Sequence, residues 1–320
     1  MKVAVTGATG FIGQAIAREA LARGHEVVAL HRGPPPPGAM GARWTPLQEW
    51  LDTNDRLDAV IHAAALRHRH GVRGDDYGRV NLDLTRRVLQ RAGRGDAFFT
   101  HVSSVSVYGW PPSDRLPIDE SFPSAPLGPY GRSKVATEDL VMHAGLRWSI
   151  VEPSITYGPG DTNGMIDRMM RLIARHTFTL PGLGRTRVQL VFIEDLARII
   201  VDATESRGAA GQRIICTHRD PIRIRDLVRI MAEAVGGRIA PVGPPLALLK
   251  LAATGFEILD ALGAFGDGEP PLTREKLATI SVDRAYSVEK MRRLLGAEAR
   301  VGYREGIART ARAMHLGRGP

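Results

Sequence analysis

Apolar residues in this chain fall into short unbroken runs, separated by longer stretches in which they recur every three or four positions. The clearest runs are Lys2–Thr6, 26–30, 57–63 and 97–103, with a shorter one at 44–47. Between them, 11–23 and 77–92 carry helical spacing. Runs that are apolar along their whole length, rather than at alternate positions, predict strands buried on both faces. Their alternation with helices predicts an α/β fold: a Rossmann-type, doubly wound parallel sheet with helices on both sides. Function in such a sheet belongs beyond the strand C-termini.

The second half of the chain reads differently. A helix is expected at 161–176, a loop toward substrate at 178–184, a strand at 188–193, a helix at 195–204, a strand at 213–217 and a helix at 226–235. The pattern predicts a dinucleotide-binding core over residues 1–160 and a smaller, discontinuous substrate lobe over 161–320, with 185–205 returning to the core. Residues 241–265 form a long apolar stretch broken by Lys250, Glu257, Asp260 and glycines. Those charges make it a poor membrane span. It can be an amphipathic surface helix, a lid over an apolar substrate or a packing helix of the small lobe, the last being the default.

The first strand runs into Gly7, Gly10 and Gly13, a spacing that lets a strand turn sharply into a helix. The first helical turn offers unpaired N–H groups and a positive dipole end, which suits a pyrophosphate. Gly24 is placed to end that helix, and a second strand follows at once. Residues 30–33 are Leu-His-Arg-Gly. An NAD site usually puts a carboxylate at this strand end, whereas a 2′-phosphate wants a cation and no acid. Arg32 therefore argues for NADP, with NAD as the alternative. The prolines at 34–37 predict a stiff loop.

Composition adds limits. The formal charge of +9 comes mostly from arginine, scattered along the chain. No basic arm or aromatic-interleaved patch stands out, so nucleic acid is not expected as a partner. The single cysteine, Cys216, sits in an expected strand, where an inert buried thiol is the simpler reading. With folding expected from Lys2 onward, no signal peptide is expected and the cytoplasm is the expected location. No metal site is expected. The expected partner is a small-molecule substrate, and a homodimer is compatible with the sequence.

Beyond the fifth strand, three residues suggest chemistry. Ser104 closes the strand, and Tyr130 and Lys134 lie four positions apart, one helical turn on the same face. An ammonium beside a phenol stabilises the phenolate, so Tyr130 could exchange a proton with an alcohol or ketone while Ser104 holds the same oxygen.

These pieces resemble the extended short-chain dehydrogenase/reductase family, which contains sugar-nucleotide epimerases and dehydratases, 3β-hydroxysteroid dehydrogenases and dihydroflavonol reductases. The resemblance rests on the glycine turn from Thr6 to Gly13, His62 to Ala65, Asn81, Ser103-Ser104 with Val107-Tyr108-Gly109, Tyr130 to Lys134, Tyr157 to Gly160, and Phe192 to Ala197. It implies that Tyr130 is the proton donor or acceptor, that Lys134 holds the nicotinamide ribose and that Ser104 positions the reacting oxygen. It further implies a dinucleotide site of Gly7, Thr9, Gly10, Phe11, Ile12, Arg32, Ala63, Ala64, Ala65, Tyr130 and Lys134, with Pro153 and Ile155 beside the nicotinamide. Asn81 would brace the fourth strand region, Asp195 would position the second lobe, and Tyr108 is not the relay tyrosine.

Departures from the family pattern narrow the chemistry. Related dehydratases carry Asp-Glu after the residue corresponding to Ser104; here Val105 and Ser106 stand there. Nucleotide-sugar members typically have Arg, Asn and Arg where this chain has Glu152, Ile155 and Val188. Arg187 is offset by one, which on a strand turns it to the other face. Pro46 replaces an adenine-contacting Asp. The sequence therefore points to an NADP(H)-dependent oxidoreductase acting on a secondary alcohol or ketone of a small, sugar-like or terpenoid-like substrate. The alternative is a nucleotide-sugar epimerase using the same Ser-Tyr-Lys relay.

Overall fold

In the computed structural model, residues 1–34, 41–66, 74–162, 164–180, 184–239, 243–265 and 270–316 are described. Most of the proline loop, the centre of the 178–184 loop and the start of the 241–265 stretch lie outside them.

The five apolar runs and two later strands form a seven-stranded parallel sheet: β1 (Lys2–Thr6), β2 (Glu26–His31), β3 (Arg43–Pro46), β4 (Ala59–His62), β5 (Phe98–Val102), β6 (Trp148–Pro153) and the strand Gln212–Cys216. Their order in space is 3-2-1-4-5-6, closed by Gln212–Cys216 at the β6 edge, so the winding reverses between β1 and β4. A crevice opens at such a reversal. Pleating sends alternate side chains to opposite cores. Val3, Val5, Val27 and Ala29 pack with helices α1 (Phe11–Ala22) and α6 (Ile193–Glu205), while Ala4, Val28 and Leu30 join the core beneath α2 (Leu47–Asp52) and α3 (Gly74–Gly93). This two-sided burial is why the strands are apolar throughout. Each valine or leucine among them, fully withdrawn from water, contributes roughly 1.5–3 kcal/mol.

The helix α4 (Pro129–Met142) begins with proline at its first position, where a missing N–H costs nothing, and packs along α3. A second core joins β7 (Ile155–Tyr157), α5 (Met165–Ala174), β8 (Arg187–Val188), β9 (Leu190–Phe192) and, after the β10 strand Gln212–Cys216, β11 (Ile222–Arg223) with α7 (Ile224–Val235). Several expectations shift. The helix expected at 161–176 is four residues later in starting, and the 188–193 run is two short strands interrupted at Gln189, whose side chain is taken by the carbonyls of His218, Arg219 and Tyr286.

The 241–265 stretch contains α8 (Leu246–Ala261), which packs against α9 (Arg274–Ser281). Only Ala253 of α8 is fully buried, and Leu248, Leu251, Ile258 and Leu259 are exposed. It is a surface helix rather than the core-packing helix its composition suggests. The chain closes with α10 (Glu289–Leu295) and α11 (Tyr303–Ala313), the latter packed on α7. Among the described residues no helix is long and apolar enough to cross a membrane.

Candidate active site

The turn after β1 is built for close approach. Gly7 adopts φ +70°, and a Cβ on Gly13 would lie 2.1 Å from the Gly7 carbonyl oxygen, so neither position accepts a side chain. Helix α1 starts at Gly10 with no side-chain cap and no acid in its first turn, leaving its N–H groups for an anion. Gly7, Thr9, Gly10, Phe11, Ile12, Arg32, Ala63, Ala64, Ala65, Tyr130 and Lys134 line one groove of about 250 Å³ at the reversal of the sheet. Thr6 steadies its floor: the Thr6 hydroxyl accepts from the Ala64 N–H at 3.1 Å and meets His62 Nδ1 at 2.8 Å. An elongated, double-phosphate ligand fits these donors and this missing side-chain volume.

A second cavity, of about 240 Å³, is lined by Ser104, Val105, Trp110, Leu127, Tyr130, Ile155, Arg284 and Tyr286 among others. Tyr130 is the residue common to the two. Ile155 thus lines the second cavity rather than the groove, and Pro153 is buried at the end of β6, lining neither.

Three elements place the candidate reacting groups. Ser104 caps the 3-10 turn Val105–Tyr108, its Oγ accepting the Ser106 N–H at 3.1 Å. Its own hydroxyl hydrogen is left to donate. Lys134 is buried, donates to the Val102 carbonyl at 2.7 Å and has Nζ 5.9 Å from the centre of the Tyr130 ring. Burial lowers the Lys134 ammonium to about 8, a fall that the charge of Glu138 partly offsets. Asn81 ties the sheet end to α4: its Oδ1 accepts the Leu66 N–H at 2.7 Å and its Nδ2 donates to Ser133 at 3.1 Å.

Further along α4 lies a buried charge cluster that the sequence did not reveal. Arg213 on β10 meets Glu152 at 2.7 Å and Glu138 at 3.3 Å, while the Tyr108 hydroxyl donates to Glu152 at 2.5 Å and Ser103 donates to Glu138. Two buried carboxyls crowd one guanidinium, which disfavours a negative charge on both. Burial, then the charge of Glu152, pushes Glu138 up to about 8. Glu152 is thus the partner of a cation from another strand, and Tyr108 is committed to it. Only a sheet order placing β10 beside β6 could have paired them.

At the far end of the dinucleotide groove, His31, Arg32, Pro46, Leu47, Asp83 and Arg87 surround a further space of about 340 Å³. Arg87, on α3, was not singled out in the sequence; its i, i+4 spacing from Asp83 was the available signal. Asp83 is engaged by Arg86 at 2.9 Å.

Comparison with known proteins agrees with this geometry. The family model for the NAD dependent epimerase/dehydratase family matches residues 3–216. The chain belongs to that family. A 2-alkyl-3-oxoalkanoate reductase of Stenotrophomonas maltophilia (strain K279a) is 29% identical over 97% of this chain and 98% of its own length. A 4-hydroxy-2-methyl-3-oxo-4-farnesyl-3,4-dihydroquinoline-1-oxide ketoreductase of Stigmatella aurantiaca is 26% identical over 100% and 98%. In fold, the chain superposes on MoeE5 in complex with UDP-glucuronic acid and NAD with a TM-score of 0.77, at 24% identity, covering 98% of this chain and 99% of that one. The protein is therefore an NAD(P)-dependent oxidoreductase or epimerase of the extended short-chain dehydrogenase/reductase type.

Proposed function

We propose that this epimerase/dehydratase-family member is an NADP(H)-dependent oxidoreductase that interconverts a ketone and a secondary alcohol, with a 3-oxo acid on an apolar chain as its substrate class. The observation that carries the reading is the place of Tyr130, where the dinucleotide groove and the substrate-side cavity meet, with Lys134 behind it and Ser104 in the same cavity. A bound nicotinamide supplies or accepts the hydride at its C4 position. In the reducing direction Ser104 donates to the substrate oxygen and Tyr130 passes it a proton. The Lys134 ammonium, fixed on the Val102 carbonyl, stabilises the phenolate left behind.

Substrate chemistry is argued from the cavity walls. Val105, Trp110, Leu127 and Ile155 are apolar, and Arg284 sets one guanidinium among them. Apolar walls with a cation suit a carboxylate-bearing chain, and the Stenotrophomonas relative is named for an oxoalkanoate. NADP is favoured by Arg32 and Arg87, two cations at the adenosine end, where the strand itself contributes no acid.

Epimerisation of a nucleotide-sugar uses the same relay, but the expected phosphate anchors are missing. Val188 is fully buried in the lobe core and Glu152 is held by Arg213. The test is the fate of the hydride. NADPH labelled at C4, incubated with a 2-alkyl-3-oxo acid, should leave its label in the product and yield free NADP⁺ in equal amount. Turnover of a nucleotide-sugar with retained cofactor and no net oxidation would overturn the reading.

A further inference from the structure

Away from the relay, four arginines converge on one hollow. Arg185, Arg187, Arg223 and Arg225 line a space of about 390 Å³ on the surface of the substrate lobe. The backbone forces them together: β8 and β11 are antiparallel with Arg187 directly opposite Arg223, the Ile224 N–H donates to the Thr186 carbonyl at 2.8 Å and the Arg225 N–H to Gly184 at 3.0 Å. Like charges opposite each other on a two-stranded ladder repel.

A second feature has the same sign. Arg223 is the N-cap of α7, a helix of 12 residues, and makes no side-chain cap hydrogen bond. Helix N-termini favour acids and anions, and here cations occupy both the cap and the second helical position. Neutralisation is incomplete. Asp283 engages Arg187 at 3.2 Å, and Asp226 lies 4.0 Å from Arg225 while also serving Arg229. Among the described residues, Arg185 and Arg223 have no carboxylate partner. A fold that concentrates guanidinium groups at a helix N-terminus, around an open hollow, is arranged for a multiply charged anion.

We propose that this hollow binds a phosphate-bearing ligand, held by Arg185, Arg187, Arg223 and Arg225. Guanidinium forks match phosphate oxygens two at a time, and a diphosphate can engage several forks at once. The hollow is not the dinucleotide groove, with which it shares no lining residue. It is nevertheless connected to the substrate-side cavity. Asp283, which grips Arg187, precedes Arg284, whose N–H donates to the Arg187 carbonyl at 2.9 Å and whose side chain lines the cavity beside Ser104 and Tyr130. An anion that draws Arg187 from Asp283 acts on the residue next to the cavity wall.

The test is calorimetric titration of inorganic pyrophosphate into the full chain at low ionic strength, with saturating NADPH so that the dinucleotide groove is filled. Binding is expected, weakened at least tenfold by combined Arg185→Ala and Arg223→Ala, and tightened by Asp283→Asn, which frees Arg187 while keeping an acceptor for its N–H. Absence of binding, or equal affinity in the double variant, would overturn the proposal without touching the hydride assignment, since no turnover is measured. Two further arms identify which molecule carries the phosphate. A substrate KM that rises in proportion to pyrophosphate without limit, at unchanged kcat, assigns the site to a phosphate on the substrate itself. A KM that is unchanged, or that rises only to a plateau, assigns it to a separate ligand.

Discussion

Tyr130 is the residue that lines both cavities, and the proposed reaction assigns the proton transfer to its hydroxyl. Tyr130→Phe should lower turnover by about 10²–10⁴-fold, the usual worth of a positioned proton-transfer group. The NADPH dissociation constant should stay within a few-fold, because dinucleotide contacts are spread along the groove from Gly7 to Ala65. Single-turnover hydride transfer and cofactor titration, measured together, check this; turnover within twofold of the parent would remove Tyr130 from the relay. Cofactor choice is also argued at single residues. Arg32→Ala should narrow an NADP preference by removing a charge-assisted contact of about 1.5–3 kcal/mol gross. Arg87 shares that space, so a residual preference is expected to remain and to vanish when Arg87→Ala is added. An NADP-to-NAD affinity ratio unchanged in the double variant would contradict the assignment.

Helix α4 shows how an element organises several residues at once. Tyr130, Lys134 and Glu138 succeed one another at intervals of four, so one stripe of the helix carries the phenol, the ammonium and a buried carboxyl. The first two were legible as a Tyr-x-x-x-Lys spacing. Glu138 was not, because its meaning depends on Glu152 and Arg213, brought alongside only when β10 pairs with β6. Val188 and Arg187 teach the converse. Strand periodicity alone said that one of them faces inward, and Val188 is buried while Arg187 is exposed. Arg284 was illegible for a different reason, since it belongs to no periodic segment whose packing partner can be inferred locally, and α8, though expected as a helix, had its packing partner left open.

The stripe makes a pH prediction. The folded-state value of Glu138 is raised to about 8 from 4.5, so the folded protein holds this proton more tightly than the unfolded chain does. The stability this contributes is full below about pH 4.5 and is lost as pH rises through about 8. Glu138→Gln keeps the shape and cannot ionise. Relative to that variant, the wild type should lose thermal stability steadily between those limits, and parallel melting curves across the range would refute a raised Glu138 carboxyl.

At the scale of the whole molecule, the question is what joins the sheet to the second core closely enough for Tyr130 to line both cavities. Asp195 stands in the first turn of α6, a helix packed on the sheet beside α1, and it is buried. Its Oδ2 accepts the N–H groups of Arg300 and Val301 at 2.9 and 2.8 Å, and its Oδ1 meets Arg198 at 2.9 Å. The fastened segment leads directly into α11, which packs on α7 in the lobe. One carboxylate therefore links the two cores, and removing it leaves two part-buried N–H groups without that acceptor. Hydrogen bonds to a charged acceptor contribute about 1.5–3 kcal/mol each, so Asp195→Ala should cost about 3 kcal/mol or more by denaturant titration. Its kinetic signature follows from its place. The dinucleotide groove belongs to the sheet and turn, whereas the substrate-side cavity also draws on Arg284 and Tyr286. Asp195→Ala should therefore raise the substrate KM more than the NADPH KM, and equal changes in both would mean that Asp195 supports the sheet alone rather than the joint.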